Sequence, residues 1–279
     1  MEKALECVLK VGIVGIGNMG SKYVNKFREL NLDYVLIDSN QSQFEKYPED
    51  VPKYTDLEEA LEKENINFLF VATSPTSHIP IARKAIERNI NVMVEKPPAL
   101  SRRDFEDILD FAYKNNVILA VSEIELNSSS VRNLKINGKV ENVEGYRLNL
   151  GKGYINPFFD LAWHDLYIFN YLFGNFSIKK VSIEGNNVYV NANSDNTEFN
   201  LQVAWLNPFL KRSWHLKSGS EETLLDFVED KIIYPSGEVV EKDNIDKLKM
   251  MIEKFIKNPS YESSLRALNI LKEIEKINI

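Results

Sequence analysis

One cysteine in 279 residues, Cys7, forbids an intrachain disulfide. It sits just ahead of an apolar run and reads as a packing residue. Histidine is scarce as well, with His78, His164 and His215 only, and none lies at ligand spacing from another or from the thiol. No metal site is expected. No apolar run approaches the ~20 residues that cross a bilayer. The first ten residues, MEKALECVLK, carry acids where a signal peptide has its apolar core. Basic residues are outnumbered 34 to 41, and the net charge of −7 argues against nucleic acid or a membrane surface as partner. There is no internal repeat and no low-complexity linker. What remains is a composition of 44% hydrophobic and 27% charged residues. That is an ordinary globular balance, long enough for two domains. The expectation is a soluble, cytoplasmic protein.

Residues 8–20, VLKVGIVGIGNMG, hold the strongest signal. An apolar run enters Gly15-Ile16-Gly17-Asn18-Met19-Gly20, and a helical pattern follows. The order is buried strand, glycine turn, helix start. Gly15 suits a tight turn, Gly17 a close backbone approach to a pyrophosphate, and Gly20 close helix–strand packing. The amides of Asn18 and Met19 open a helix whose N-terminus favours phosphate. Residues 33–38, DYVLID, form a second apolar strand that ends in Asp38, 18 residues after Gly20. That is close to the usual spacing of about 20 for a ribose-binding acid. A carboxylate there repels a 2′-phosphate, so NAD is favoured; Ser39 and Asn40 leave room for NADP.

Through residue 121 the chain alternates strands (8–14, 34–37, 68–72, 91–94, 117–121) with helices (19–30, 57–64, 79–89, 102–115). Thr55 with Glu58 and Ser101 with Asp104 read as helix-capping pairs. This is the grammar of a doubly wound parallel sheet, a Rossmann domain over 1–121. After residue 122 the grammar changes. Residues 140–150 alternate apolar and polar. Residues 159–173 are apolar all round, so a buried helix is expected, stopped by Gly174. Further strands are expected at 178–184, 187–191, 198–205, 212–217, 223–228 and 231–234, and helices at 244–257 and 261–277. The second region, 122–260, thus reads as an α+β domain with a mostly antiparallel open sheet. The class is α/β overall.

Three further places carry chemistry. Residues 72–78, ATSPTSH, end the third apolar strand, at the sheet edge where ligands of parallel sheets bind. Thr73 and Ser74 can bond phosphate or ribose, or the stretch is a turn with Ser77 as helix cap. His78 reads as structural or cofactor-contacting. Residues 94–98, VEKPP, end the fourth strand and put Glu95 and Lys96 on the same edge. Lys96 is either a proton-transfer group and donor or half of a solvated charge pair. Its bond to Pro97 is a candidate for cis. Residues 160–165, DLAWHD, place Asp160 and His164 at i and i+4 of a helix, on one face. A carboxylate there favours the imidazolium and keeps His164 useful near neutrality; the alternative is a satisfied core histidine.

Glycine turn, Asp38, EKP and DxxxH, in that order, resemble the Gfo/Idh/MocA family, named for glucose–fructose oxidoreductase and inositol dehydrogenase. The resemblance runs along nearly the whole chain. It implies an NAD(P)-dependent oxidoreductase that moves a hydride between nicotinamide and a sugar, cyclitol or sugar-nucleotide hydroxyl or ketone. It implies Lys96, Asp160 and His164 as the catalytic group, with His164 or Lys96 moving the hydroxyl proton and Asp160 orienting them. It implies a final segment, 261–279, packed back near the first domain, and a homodimer or homotetramer. Departures are the sparse glycines before Asp160 (LGKGYINPFFD) and the bulky LAW between Asp160 and His164. Residues 205–227 resemble branches that act on nucleotide-linked amino sugars, as a UDP-N-acetylglucosamine-like 3-dehydrogenase does. There Lys211 and Arg212 either meet a substrate phosphate or end two exposed strands. A non-catalytic NAD(P)-binding sensor or regulatory protein is the reading from another class.

Overall fold

The computed structural model describes residues 9–151, 153 and 156–277, so Cys7 and Val8 lie outside the described residues. The chain divides into two compact units. One comprises residues 1–122 and 252–264, the other 123–251 and 265–279.

The first unit is built on a six-stranded, all-parallel sheet. Its strands are β1 (Lys10–Val14), β2 (Asp33–Ile37), β3 (Lys53–Tyr54), β4 (Phe68–Val71), β5 (Asn91–Val94) and β6 (Leu119–Val121), in the order β3-β2-β1-β4-β5-β6. Helices α1 (Asn18–Glu29), α2 (Leu57–Lys63), α3 (Pro75–Ile86) and α4 (Arg102–Lys114) connect them. The central strands are apolar at successive positions because helices cover both faces; all four residues of β4 are buried. Edge strand β6 is covered by residues 252–264. Ser263 Oγ accepts the Val121 N–H, and Ser264 and Tyr261 donate to the Leu119 and Val117 carbonyls. Phe255 meets Phe68 and Phe70 edge-on at 5.4 and 5.6 Å.

The second unit carries an eight-stranded sheet. Past α5 (Ser129–Arg132) come β7 (Asn142–Leu148), a π-helical turn (Phe158–Ala162) and α6 (Trp163–Phe173). Then follow β8 (Ser177–Glu184), β9 (Asn187–Asn193), β10 (Glu198–Ala204), β11 (Lys211–Ser218), β12 (Glu221–Asp226), β13 (Lys231–Ile233) and β14 (Val239–Val240). The order is β14-β13-β12-β11-β7-β10-β9-β8, antiparallel except for β7 beside β10. As expected, α6 is buried over most of its length, from Trp163 to Asn170 except at His164, and ends at Gly174, whose φ is +79°; Tyr171 in its last turn is exposed. Phe169 stacks on Phe199 with centroids 4.5 Å apart, and Trp214 closes the cluster. Gly145 makes room there: a Cβ would come within 3.1 Å of Leu201, Phe199 and Trp214. Helices α7 (Lys247–Lys257) and α8 (Glu262–Glu275) end the chain.

Three local readings shift. Asp56, not Thr55, caps α2, accepting the Glu59 N–H. Helix α3 begins at Pro75 with Ser74 as its cap residue, so Ser77 lies inside the helix. Pro75 at the first helical position is the favoured place for proline. The two-residue strands β3 and β14 are too short to show a period in sequence.

Candidate functional site

The glycine turn follows β1. Gly15 has φ +85° and donates its N–H to the Ile37 carbonyl at 2.9 Å. A Cβ on Gly20 would stand 1.8 Å from the Gly15 carbonyl oxygen, so only glycine lets α1 begin this close to the strand. Gly17 differs: its φ is −71° and a Cβ would meet nothing within 4 Å. Neither backbone nor packing demands glycine there. The open space fits a ligand that must come close to the backbone. Gly17 heads α1 at Asn18 and Met19, with no side-chain cap and no acid in the first turn. Uncapped amides and the positive dipole end suit a pyrophosphate.

Asp38 braces this turn from the end of β2. One carboxylate oxygen accepts the Ile16 N–H at 2.7 Å and the other the Asn40 N–H at 2.9 Å. Across the same sheet edge, Thr73 and Ser74 follow β4. Ser74 Oγ shares hydrogen bonds with Thr76 and Ser77 at 2.9 and 3.2 Å. Glu95 and Lys96 follow β5. Tyr23 of α1, fully buried, donates to Glu95 Oε1 at 2.7 Å, and Glu95 Oε2 faces the Lys96 N–H at 3.3 Å. Burial, helped by the Glu95 charge, pushes the Tyr23 phenol well above its ordinary pKa. The Lys96–Pro97 bond is cis.

His78 is fully buried, and its nitrogens lie 3.1 Å from the Pro97 and Thr73 carbonyl oxygens. Both nitrogens face backbone carbonyl oxygens, and a neutral ring, with one N–H, donates to one of them. It ties together the segments that follow β4 and β5. Burial lowers its pKa against the pull of those carbonyls and of Glu95.

In the second unit, Asp160 lies in the π-helical turn and His164 in the first turn of α6. His164 Nδ1 is 3.0 Å from the Tyr167 hydroxyl. The neighbouring acid, Asp165, is wholly buried and serves the core. Its carboxylate takes Arg147 Nε at 2.5 Å and the Trp214 indole N–H at 2.8 Å. Burial opposes the charge on Arg147, but Asp165 beside it outweighs burial and raises its pKa. Sequence reasoning passed over this triad; its one signal was a second acid directly after His164.

Lys211 and Arg212 are consecutive in β11 and so face opposite sides of the sheet. Lys211 Nζ sits 3.3 Å from the Tyr146 ring centroid. Arg212 pairs in register with Arg147 and donates twice to Asn149 Oδ1, at 3.0 and 2.8 Å. No carboxylate pairs with it among the described residues, and burial, then Arg147, lowers its pKa. An oriented cation of this kind suits an anionic ligand group. No cluster of His, Cys, Asp or Glu among the described residues is arranged for a metal ion, and no helix there is long and apolar enough to cross a membrane.

Comparison with known proteins agrees with the first unit's geometry. Residues 9–123 match the Gfo/Idh/MocA model, described as oxidoreductase family, NAD-binding Rossmann fold. Inositol 2-dehydrogenase of Salmonella typhimurium is 25% identical over 114 residues, 38% of this chain and 34% of that protein. Glycosyl hydrolase family 109 protein 5 of Phocaeicola vulgatus is 25% identical over 177 residues, 56% of this chain and 33% of its own. The chain thus matches 33% and 34% of these curated relatives' length. Among solved structures, the UDP-N-acetylglucosamine 3-dehydrogenase GnnA of Acidithiobacillus ferrooxidans shares the fold with a TM-score of 0.85, 18% identity and 96% coverage of both chains. An oxidoreductase of Agrobacterium radiobacter, solved with NAD+, L-tartaric acid and magnesium, does so with a TM-score of 0.81, 12% identity, and 96% and 94% coverage.

Proposed function

We propose, because residues 9–123 match the Gfo/Idh/MocA model with its NAD-binding Rossmann fold, that the whole chain belongs to that family and is an NAD-dependent dehydrogenase or reductase. Its substrates are sugars, cyclitols or sugar nucleotides. The observation that carries this reading is Gly17, a glycine at the head of α1 with open space where a side chain would stand, which suits a ligand's close approach. Gly15 to Gly20 hold the pyrophosphate, and Asp38 faces the ribose hydroxyls while bracing the turn; Thr73, Ser74 and Glu95 border the same edge. Bound NAD supplies the hydride chemistry. Lys96 and His164 are the groups that move or hold the hydroxyl proton, and Asp160 orients them. Lys96 belongs to the first unit, Asp160 and His164 to the second.

Arg212 favours a narrower second reading. An oriented guanidinium with no carboxylate partner among the described residues fits a substrate carrying phosphate or carboxylate. A sugar nucleotide, as in a UDP-N-acetylglucosamine-like 3-dehydrogenase, meets that condition. The test uses purified protein, NADH fluorescence and a panel of cyclitols, neutral sugars and sugar nucleotides. The expected result is NADH binding with turnover of at least one compound, abolished in Lys96→Ala. Binding without turnover, unchanged by that substitution, makes the chain a sensor instead. Light scattering on the same sample measures assembly, expected as a homodimer or homotetramer.

A further inference from the structure

Tyr167 lies one helical turn beyond His164 on α6 and is completely buried. Its hydroxyl oxygen is 3.0 Å from two atoms, the backbone nitrogen of Glu125 and Nδ1 of His164. A backbone N–H only donates, so the phenol oxygen accepts from Glu125. The phenol has one hydrogen left to place. Among the described residues, His164 Nδ1 is the single acceptor within reach. In the reverse arrangement, with the hydrogen on Nδ1, the phenol oxygen would accept twice and its own hydrogen would be stranded in the interior. Buried donors are rarely left so. Burial pushes the Tyr167 pKa well above its ordinary value, so the hydrogen stays on the phenol.

We propose that Tyr167 is a positioning residue that holds neutral His164 in the tautomer with Nδ1 as acceptor and the hydrogen on Nε2. The tautomer is a property of the chain itself; its consequence for catalysis rests on the dehydrogenase reading. A neutral imidazole with its hydrogen on Nε2 cannot take a proton at that nitrogen. It meets the substrate oxygen as an N–H donor and stabilises charge that develops there. In alcohol oxidation the hydroxyl O–H bond then breaks toward a base other than His164, which takes the proton, and in ketone reduction that group returns it to the new alkoxide. Of the two candidate proton carriers, the tautomer excludes His164.

Three histidines make the test direct. The full-length protein is labelled with 15N-histidine, and His164→Gln and His215→Gln variants assign the resonances. At a pH where His164 is neutral, wild type is expected to show an unprotonated Nδ1 and a protonated Nε2. In Tyr167→Phe the two nitrogens are expected to move toward the average of a tautomer mixture. A protonated Nδ1 in wild type overturns the proposal, and so does an unchanged spectrum in the Phe variant. The wild-type measurement stands if the variant fails to fold. The expected tautomer in a protein that turns over nothing sinks the dehydrogenase reading and supports the tautomer assignment. Where there is turnover, His164→Gln keeps a side-chain N–H donor. It is expected to retain most of the kcat that His164→Leu loses, roughly 10²-fold. Equal losses overturn the donor role.

Discussion

Gly17 and Gly20 stand three residues apart and are glycine for different reasons. Alanine at 20 would drive a methyl into the Gly15 carbonyl, at 1.8 Å, where backbone cannot yield. Alanine at 17 adds a methyl to open space at an ordinary φ. Gly20→Ala is therefore expected to lower the thermal midpoint and abolish NADH binding together. Gly17→Ala is expected to melt within a degree or so of wild type, since no strain or clash is added, while NADH affinity falls at least about tenfold because the methyl occupies the approach to the backbone. Calorimetry and fluorescence titration separate the two. Equal NADH affinity for Gly17→Ala and wild type would refute the reserved-space account. At this scale motif spacing picked out Gly15, Gly17, Gly20 and Asp38, because each is a residue type that few other reasons explain. It could not show Asp38 gripping the Ile16 and Asn40 amides, or both nitrogens of His78 turned to backbone carbonyls. Those bonds depend on where segments far apart in sequence end.

Elements were readable wherever periodicity persisted. Short apolar runs marked β4 and β5, and the all-round apolar character of residues 159–173 marked α6 as buried. The π-helical turn at Phe158–Ala162 left no such mark, since one extra residue per turn changes no residue type. Asp165 belongs to the same class of hidden feature: it holds α6 to β7 and β11 through Arg147 and Trp214. Asp165→Asn keeps the shape but leaves the buried Arg147 guanidinium without a counter-charge. A loss of about 3–5 kcal/mol in unfolding free energy is expected, read by urea denaturation. A loss under ~1 kcal/mol, the range of exposed pairs, would show that water already reaches Arg147. A second anchor responds to acid. Asp243 precedes α7; its carboxylate accepts from Arg132 of α5 and from the Ile245 N–H, and its own backbone N–H donates to Ser129 Oγ. Burial pushes its pKa up, but these partners prevail and hold it at about 2. The unfolded value is about 3.9. A depressed folded pKa stabilises the fold at pH above the unfolded value, and that contribution drains away as pH falls through about 2. Asp243→Asn is expected to unfold more readily than wild type at pH 6, with the gap closing on acidification; a gap independent of pH would exclude the carboxylate's charge as its origin.

At the scale of the whole molecule, the change of grammar near residue 122 was visible because alternating strand and helix patterns give way to consecutive strands. The resemblance implied a final segment, 261–279, back near the first domain; the stretch grouped with the first unit is 252–264, and the pattern of the sequence did not mark it. Nothing in the amphipathic pattern of α7 says which apolar surface its Phe255 will meet. The family match ends at residue 123, which suggests a natural place to cut, yet the contacts argue otherwise. A fragment of residues 9–123 would uncover Phe68 and Phe70, lose the Ser263 hydroxyl that accepts the Val121 N–H, and free the Val117 and Leu119 carbonyls. An unpaired, apolar edge strand is a template for aggregation. The fragment is expected to unfold well below the full chain or to aggregate. Joining residues 252–264 to its end through a flexible Gly/Ser linker is expected to restore a cooperative transition and NADH binding. The comparison needs the two fragments side by side in thermal melts and fluorescence titration. If 9–123 alone already melts cooperatively and binds NADH like the linked form, then β6 does not need its cover, and the first unit's stability resides in the parallel sheet and its four helices.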